Sequence, residues 1–328
     1  MKHLKVGLIG YGYWGRNIAR TIKATDNLEL FSIFDLNQKS IKSAAEEYDF
    51  KIFDTIESFL ESEIEAVFIA TPLKTHYELI KKSLKAKKHI FVEKPFAQTL
   101  LQTKELIELA KKVDKKLFVD FVFLYSNAVK YLKREIESFG KILYINSQRL
   151  NFGLFRDDDG VIDDLAIHDL YIIDHLIDLN IKRCCTTTQK YKNYSNNKEA
   201  IANILIDTIS NIHININVSW INPSKVRSMI IVGENKTAVY DDTIQNKIKI
   251  YSTGSYLEEK FKNNELYNNN ISYPENEIFI PKLDDSMALN NAIEAFRDYI
   301  LYSRKTLSSE DIILKSAQIL QRVKKERI

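Results

Sequence analysis

The apolar positions of the first 123 residues fall into short continuous runs separated by amphipathic stretches. The runs cover residues 5–9, 28–34, 51–53, 66–70, 90–92 and 117–123, each long enough for one strand. Between them, residues 16–24, 38–48, 56–60, 76–86 and 100–113 place apolar side chains at helical spacing. Strand and helix in alternation predict parallel strands joined by right-handed helical crossovers. A run such as Ala66-Val67-Phe68-Ile69-Ala70 has no polar position to turn toward water, which suits a strand covered on both faces. The expected first domain, residues 1–123, is therefore α/β with a doubly wound parallel sheet.

After residue 123 the pattern changes. Helical spacing over 127–138 leads into a long strand pattern at 142–151, a helix at 163–179, and then β-patterned runs at 184–191, 200–209, 212–220, 228–232, 237–240 and 248–251. Turn signals such as Gly233-Glu234-Asn235 separate them, so the second domain, residues 124–328, is expected to be α+β with a large, mostly antiparallel open sheet. The Asn-rich patches at 193–197 and 263–270 read as exposed loops. Residues 288–302 and 312–325 return to helix and are expected to close the molecule, with packing back onto the first domain left open. Ile212, Ile214, Ile216 and Val218 mark one sheet face, whereas Met229, Ile230, Ile231 and Val232 run without a break. That run predicts burial on both sides of the sheet and hence self-association, as a homodimer or homotetramer.

Candidate chemistry begins at the first strand. It runs straight into Gly10-Tyr11-Gly12-Tyr13-Trp14-Gly15, a Gly-x-Gly-x-x-Gly turn followed by a helical segment. In the Rossmann arrangement Gly10 makes the tight turn, Gly12 lets backbone approach a pyrophosphate, and Gly15 lets the helix pack closely on the strand. The second strand ends in Asp35, about 20 residues on, where a carboxylate accepts ribose hydroxyls and repels a 2′-phosphate. Leu36-Asn37-Gln38 follow, with no Arg beside Asp35 to welcome that phosphate, so NAD(H) is expected over NADP(H).

Composition narrows the partners. The chain has 328 residues, 45% hydrophobic and 28% charged, with a net charge of +3, and its lysines are interspersed with Glu and Asp. This reads as solvated helix faces around two cores, with no nucleic-acid footprint. No apolar run reaches the roughly 18 residues of a membrane span, and the first is too short and Gly-rich for a signal peptide. Cys184 and Cys185 are adjacent, a poor geometry for pairing with each other, and no metal cluster is expected. A reducing cytoplasm is the simplest home.

Further motifs follow in order: Ala70-Thr71-Pro72 with Thr75-His76, Glu93-Lys94-Pro95, Asp164-Leu165-Ala166-Ile167-His168-Asp169, and Ser219-Trp220 with Lys225, Arg227 and Tyr240-Asp241-Asp242. With these the chain resembles the Gfo/Idh/MocA-type oxidoreductases over nearly its whole length. Thr71, Glu93 and Lys94 fall at strand ends, the edge where open α/β sheets bind ligands. The resemblance implies a cofactor surround of Gly10, Tyr11, Gly12, Tyr13, Trp14, Gly15, Asp35, Thr71, Pro72, His76, Glu93 and Lys94. It also implies that Lys94 touches cofactor and substrate, that the proline after it often follows a cis bond, and that His168 is the acid/base with Asp164 its substrate-binding partner. The chemistry agrees: oxidising an alcohol requires removal of the hydroxyl proton as hydride leaves carbon, and imidazole titrates near neutral pH.

Arg149-Leu150-Asn151-Phe152-Gly153 and Ser219-Trp220-Ile221-Asn222-Pro223 resemble the subgroup acting on sugars and nucleotide-activated sugars, including 3-dehydrogenases of surface-polysaccharide pathways. The substrate residues so implied are Lys94, Tyr125, Arg149, Asn151, Asp164, His168 and Arg227. Trp220 as sheet core and Arg227 as a cross-strand ion pair stand as equal readings. Asp157-Asp158-Asp159-Gly160 stands where the resemblance implies a Gly-rich turn before the His helix, a departure that leaves open how the loop covers the site and whether a strongly anionic substrate is welcome near it. Two other outcomes remain open: an NAD-binding regulatory or structural protein of this fold, and redox-assisted glycoside cleavage with NAD retained.

Overall fold

The computed structural model describes residues 3–153, 155, 159–191, 198–252 and 278–327. The Asn-rich loops expected at 193–197 and 263–270, and Asp157 and Asp158, lie outside the described residues. Two compact units divide the chain: Met1–Ser126 with Ser286–Gln321, and Asn127–Asp285 with Arg322–Ile328.

The first unit holds five parallel strands, β1 (Leu4–Ile9), β2 (Leu28–Phe34), β3 (Ala66–Ile69), β4 (His89–Val92) and β5 (Leu117–Val119), in the order β2-β1-β3-β4-β5. Helices α1 (Tyr13–Ala24), α2 (Gln38–Glu47), α3 (Ile56–Glu61), α4 (Leu73–Lys85) and α5 (Leu100–Lys112) make the connections. The apolar runs behave as their composition dictates: Val67, Phe68, Ile69, Ile90, Phe91 and Phe118 are all 0% exposed. The tail contributes α8 (Ala288–Tyr302) and most of α9 (Glu310–Lys325) to this unit. Phe296 of α8 meets the rings of Phe68, Phe91 and Phe118 edge-on, at centroid distances of 5.2, 5.6 and 5.6 Å. Contacts of this kind add about 0.5–1.5 kcal/mol each beyond area burial, which helps explain why 286–321 groups here and not with residues 127–285.

Three boundaries differ from the sequence pattern. Residues 51–53 form no strand: Lys51 makes a single bridge to Ser32, and Ile52 points to solvent. The run 117–123 stops as a strand at Val119, because Val122–Tyr125 tighten into a 3₁₀ turn. Helix α4 starts at Leu73, directly after Pro72, whose fixed φ opens the helix.

In the second unit, α6 (Asn127–Glu135) leads to β6 (Ile142–Phe152), a π-helical turn (Ile162–Ala166) and α7 (Ile167–Ile177). Then come β7 (Ile181–Lys190), β8 (Glu199–Thr208), β9 (His213–Ser219), β10 (Ile221–Gly233), β11 (Lys236–Asp241), β12 (Ile248–Ser252) and β13 (Ile278–Phe279). They form one eight-stranded sheet in the order β13-β12-β11-β10-β6-β9-β8-β7, antiparallel except for the parallel β6–β9 pair. Strand β10 is longer than the predicted 228–232 because a register irregularity between Ile221 and Val226 accommodates Pro223. One face buries Ile145, Ile214, Ile216, Val218, Met229 and Ile231, and Asp169 of α7 reaches it. The other carries half-buried Ile230 and Val232 beside a polar ladder, Asn217 donating to Asn203 at 2.7 Å and Asn215 to Asn146 at 3.1 Å.

Candidate active site

The carboxyl ends of the parallel strands are shaped for a dinucleotide. Gly10 has φ +93°, and a side chain there would stand 2.6 Å from the Ala70 carbonyl. A side chain at Gly15 would overlap the Gly10 carbonyl oxygen, so the close approach of α1 to β1 requires glycine. Nothing lies within 4 Å of a Cβ placed on Gly12. Helix α1 begins there without a side-chain cap or an acid in its first turn, which leaves its dipole suited to an anion. The Asp35 carboxylate is fixed by two backbone donors, the N–H of Tyr11 to Oδ2 and of Asn37 to Oδ1, both at 2.7 Å. The Tyr11 ring itself is buried, so this residue serves the edge through its backbone. Tyr13 and Leu36 hold large side chains 82% and 91% exposed on the same edge. The donors and space present fit a dinucleotide.

The next two strand ends are tied together by a residue that sequence reasoning placed at the cofactor. His76 is 1% exposed, its ring nitrogens lying 2.9 Å from the carbonyl oxygens of Thr71 and Pro95. Burial lowers the imidazole pKa and favours the neutral ring, whose single N–H donates to one of these two carbonyls. His76 braces the Thr71-Pro72 turn against the cis Lys94–Pro95 bond and so shapes the site from beneath. Thr71 shares a 2.7 Å hydroxyl contact with Thr75.

Glu93 has a neighbour the motif search missed. Val92 pairs with Val119, and the N–H of Asp120 donates to the Val92 carbonyl at 2.8 Å, so Glu93 and Asp120 follow side by side. Burial pushes the Asp120 carboxyl up to about 6, and burial together with the Asp120 charge pushes Glu93 well above the carboxylate range. The indole of Trp14 and the ammonium of Lys94 oppose that rise. The signal was present in the sequence as the lone acid inside the apolar run 117–123. Tyr125, expected at the substrate, is buried in this unit with its hydroxyl held by Thr306 at 2.7 Å and Ser308 at 3.2 Å.

In the second unit the acid/base candidates sit on one continuous helical stretch, whose first turn is π-helical. Such turns insert a residue and often occur at functional positions. Asp164 lies in that turn, and the indole Nε1 of Trp220 donates to its Oδ2 at 3.0 Å. Trp220 is 0% exposed, so it is sheet core and polar partner at once. His168, at the start of α7, has Nδ1 2.9 Å from the hydroxyl of Tyr171, a partner no motif indicated.

The two arginines implied at the substrate both lie beside carboxylates. Arg149 is 3% exposed and binds Asp169 through Nε at 3.0 Å and Nη2 at 3.1 Å, with Ser147 on the same carboxylate at 2.9 Å. A guanidinium so enclosed forms an ion pair within the sheet. Arg227 lies 3.6 Å from Asp242, the cross-strand reading, and remains one-third exposed. Asn151 is half-buried near the end of β6. Among the described residues no His, Cys, Asp and Glu cluster could hold a metal ion, and no helix is long and apolar enough to cross a membrane.

The fold and the glycine turn define a dinucleotide-binding scaffold. Residues 4–121 match the model of the Gfo/Idh/MocA oxidoreductase family, NAD-binding Rossmann fold. The chain is 32% identical over 171 residues to a UDP-N-acetylglucosamine 3-dehydrogenase of Acidithiobacillus ferrooxidans, covering 52% of this chain and 53% of that protein. It is 30% identical over 177 residues to a myo-inositol 2-dehydrogenase of Thermotoga maritima, covering 51% and 52%. The chain thus spans about half the length of the curated relatives it matches. The fold extends further. A solved structure of the Acidithiobacillus ferrooxidans enzyme superposes with a TM-score of 0.83 at 24% identity, covering 100% of this chain and 98% of that one. A 3-ketoreductase of Actinomadura kijaniata, solved with TDP-benzene and NADP, gives 0.85 at 15% identity over 99% and 98%.

Proposed function

We propose that the protein is an NAD-dependent oxidoreductase that moves hydride between nicotinamide and a secondary alcohol or ketone of a sugar, in the manner of a 3-dehydrogenase or 3-ketoreductase. The substrate is a nucleotide-activated sugar, and the setting is polysaccharide biosynthesis in the cytoplasm. The observation that carries the reading is the helical stretch 162–177, which anchors Asp164 by Trp220 and His168 by Tyr171. A protein that only binds a dinucleotide has no need of a carboxylate and an imidazole each oriented by an aromatic partner. The named activities of the relatives above support the substrate class.

Nicotinamide supplies the hydride acceptor. His168 takes the hydroxyl proton, and Asp164 orients the sugar by accepting a hydroxyl hydrogen bond. Lys94 donates to the reacting oxygen. Asp35 accepts the ribose hydroxyls of NAD. Arg149 and Tyr125 contribute through packing. The remaining face of the large sheet, where Ile230 and Val232 flank the Asn ladder, pairs subunits into a two-fold dimer or a tetramer of such dimers; light scattering reads the mass.

The test is incubation with NAD and a panel of nucleotide sugars, with NADH read by absorbance and the keto product by mass. Stoichiometric NADH and keto-sugar support the reading. Sugar conversion with NAD retained points to redox-assisted cleavage, and binding without conversion to a regulator.

A further inference from the structure

The turn that carries Asp164 is gripped by a short segment distant in sequence, residues 322–327. Lys324 reaches both carboxylate oxygens of Asp163, at 2.9 and 2.8 Å, and Asp163 is 8% exposed. The backbone of the segment is bonded to β7: Thr186 donates its N–H to the Glu326 carbonyl and its hydroxyl to the Val323 carbonyl, both at 2.9 Å. Thr186 also forms a parallel bridge with Arg327. From there Arg327 pairs with Glu199 at the start of β8. The second carboxylate oxygen of Glu199 fills the space that a side chain at Gly160 would take. The Gly160 carbonyl in turn accepts the N–H of Asp164 at 3.1 Å.

Two routes therefore run from one segment to one turn: Lys324 to Asp163, and Arg327 through Glu199 to Gly160. A π-helical turn is less stable than the α-helix it interrupts, and reverting it would rotate Asp164 by one position relative to His168. Contacts that favour the π form hold the phase between those two side chains. Neither Lys324 nor Arg327 is needed to build the sheet, whose strands pair through their own backbone.

We propose that Lys324 and Arg327 are positioning residues for Asp164 and His168, acting by holding the 160–166 turn in its π-helical register. The kinetic consequence rests on the hydride-transfer reading; the structural consequence does not. The chain contains two tryptophans, and the Trp220 indole N–H is bonded to Asp164, so its ¹⁵N–¹H resonance reports where that carboxylate is. Trp14→Phe assigns the signal. In Lys324→Met and in Arg327→Met the Trp220 indole resonance is expected to move, while Lys324→Arg keeps it in place. With a nucleotide-sugar substrate, Lys324→Met is expected to lower kcat about 10- to 100-fold with the KM for NAD unchanged, and Lys324→Arg to restore it. An unmoved Trp220 resonance in both Met variants overturns the proposal, as does Lys324→Arg behaving like Lys324→Met. If Lys324→Met does not fold, Arg327→Met carries the same resonance test. A wild-type protein without sugar-oxidising activity removes the proposed function and leaves the resonance to decide this one.

Discussion

The hydroxyl of Tyr171 stands 2.9 Å from Nδ1 of His168, one turn further along α7. If His168 accepts a proton through Nε2, Nδ1 must carry the ring hydrogen and donate it to the Tyr171 oxygen. Tyr171→Phe keeps the ring packing and removes that acceptor. A loss of about tenfold in kcat is expected, with a displaced acidic limb of the pH–rate profile and unchanged NAD affinity. His168→Ala is expected to lose about 10²–10⁴-fold in turnover, again without loss of NAD binding. Steady-state kinetics across pH read both, and an active His168→Ala enzyme with an ordinary profile removes His168 from the mechanism.

Cofactor choice turns on Asp35, whose two oxygens are already oriented by the Tyr11 and Asn37 amides. NADH is expected to bind tighter than NADPH by at least about tenfold, because a 2′-phosphate would meet a fixed carboxylate. Asp35→Ala should narrow that ratio. Fluorescence titration with both nucleotides measures it, and equal affinities in the wild type refute the assignment.

The buried Glu93–Asp120 pair gives stability a pH dependence of definite sign. Asp120 has a folded value of about 6 against an ordinary 3.8, so between these values the folded state keeps a proton that the unfolded chain has released. The contribution is therefore complete below the ordinary value and is lost as pH rises through about 6. Glu93, shifted the same way, adds in the same sense. Asp120→Asn should be more stable than wild type at neutral pH, by at most about 3 kcal/mol, with the gap closing toward pH ~4. Melting curves over that range test this; a gap independent of pH counts against it.

Arg149 and Asp169 form a buried pair, side chains 4% and 3% exposed. Arg149→Met strands the Asp169 carboxylate and is expected to cost about 3–5 kcal/mol in urea unfolding. Arg149→Met combined with Asp169→Leu should recover most of that loss. A double variant no better than the single would show that the arginine acts through something other than this pair.

The strands and the glycine turn were legible because they follow local rules. Apolar runs covered on both faces have no polar position to misread, and Gly10 and Gly15 are required by backbone geometry alone. Partnership is of another kind. Arg149, Tyr125 and His76, which the resemblance implied at ligands, are each bonded to a group elsewhere in the chain: Asp169, Thr306 with Ser308, and the Pro95 carbonyl. Periodicity shows which way a side chain faces, not which partner satisfies it. The same blindness hid Tyr171 and Asp120, and left Trp220 divided between core and site when it belongs to both. The run at 51–53 failed because only Lys51 finds a partner, and one isolated bridge cannot sustain a strand.

The ring of Phe296, seated among Phe68, Phe91 and Phe118, has a consequence for how the protein is made. Residues 127–285 lie between Phe118 and Phe296, so that stretch leaves the ribosome before the first unit receives its last helices. During synthesis the parallel sheet waits with three aromatic edges uncovered, while the later-born strands already have their partners. The first unit is therefore completed only after most of the second has been made, and the second in turn waits for residues 322–328. A gene fragment cut after residue 123 would produce the glycine turn and all five parallel strands, and would still lack the side chain that closes their core.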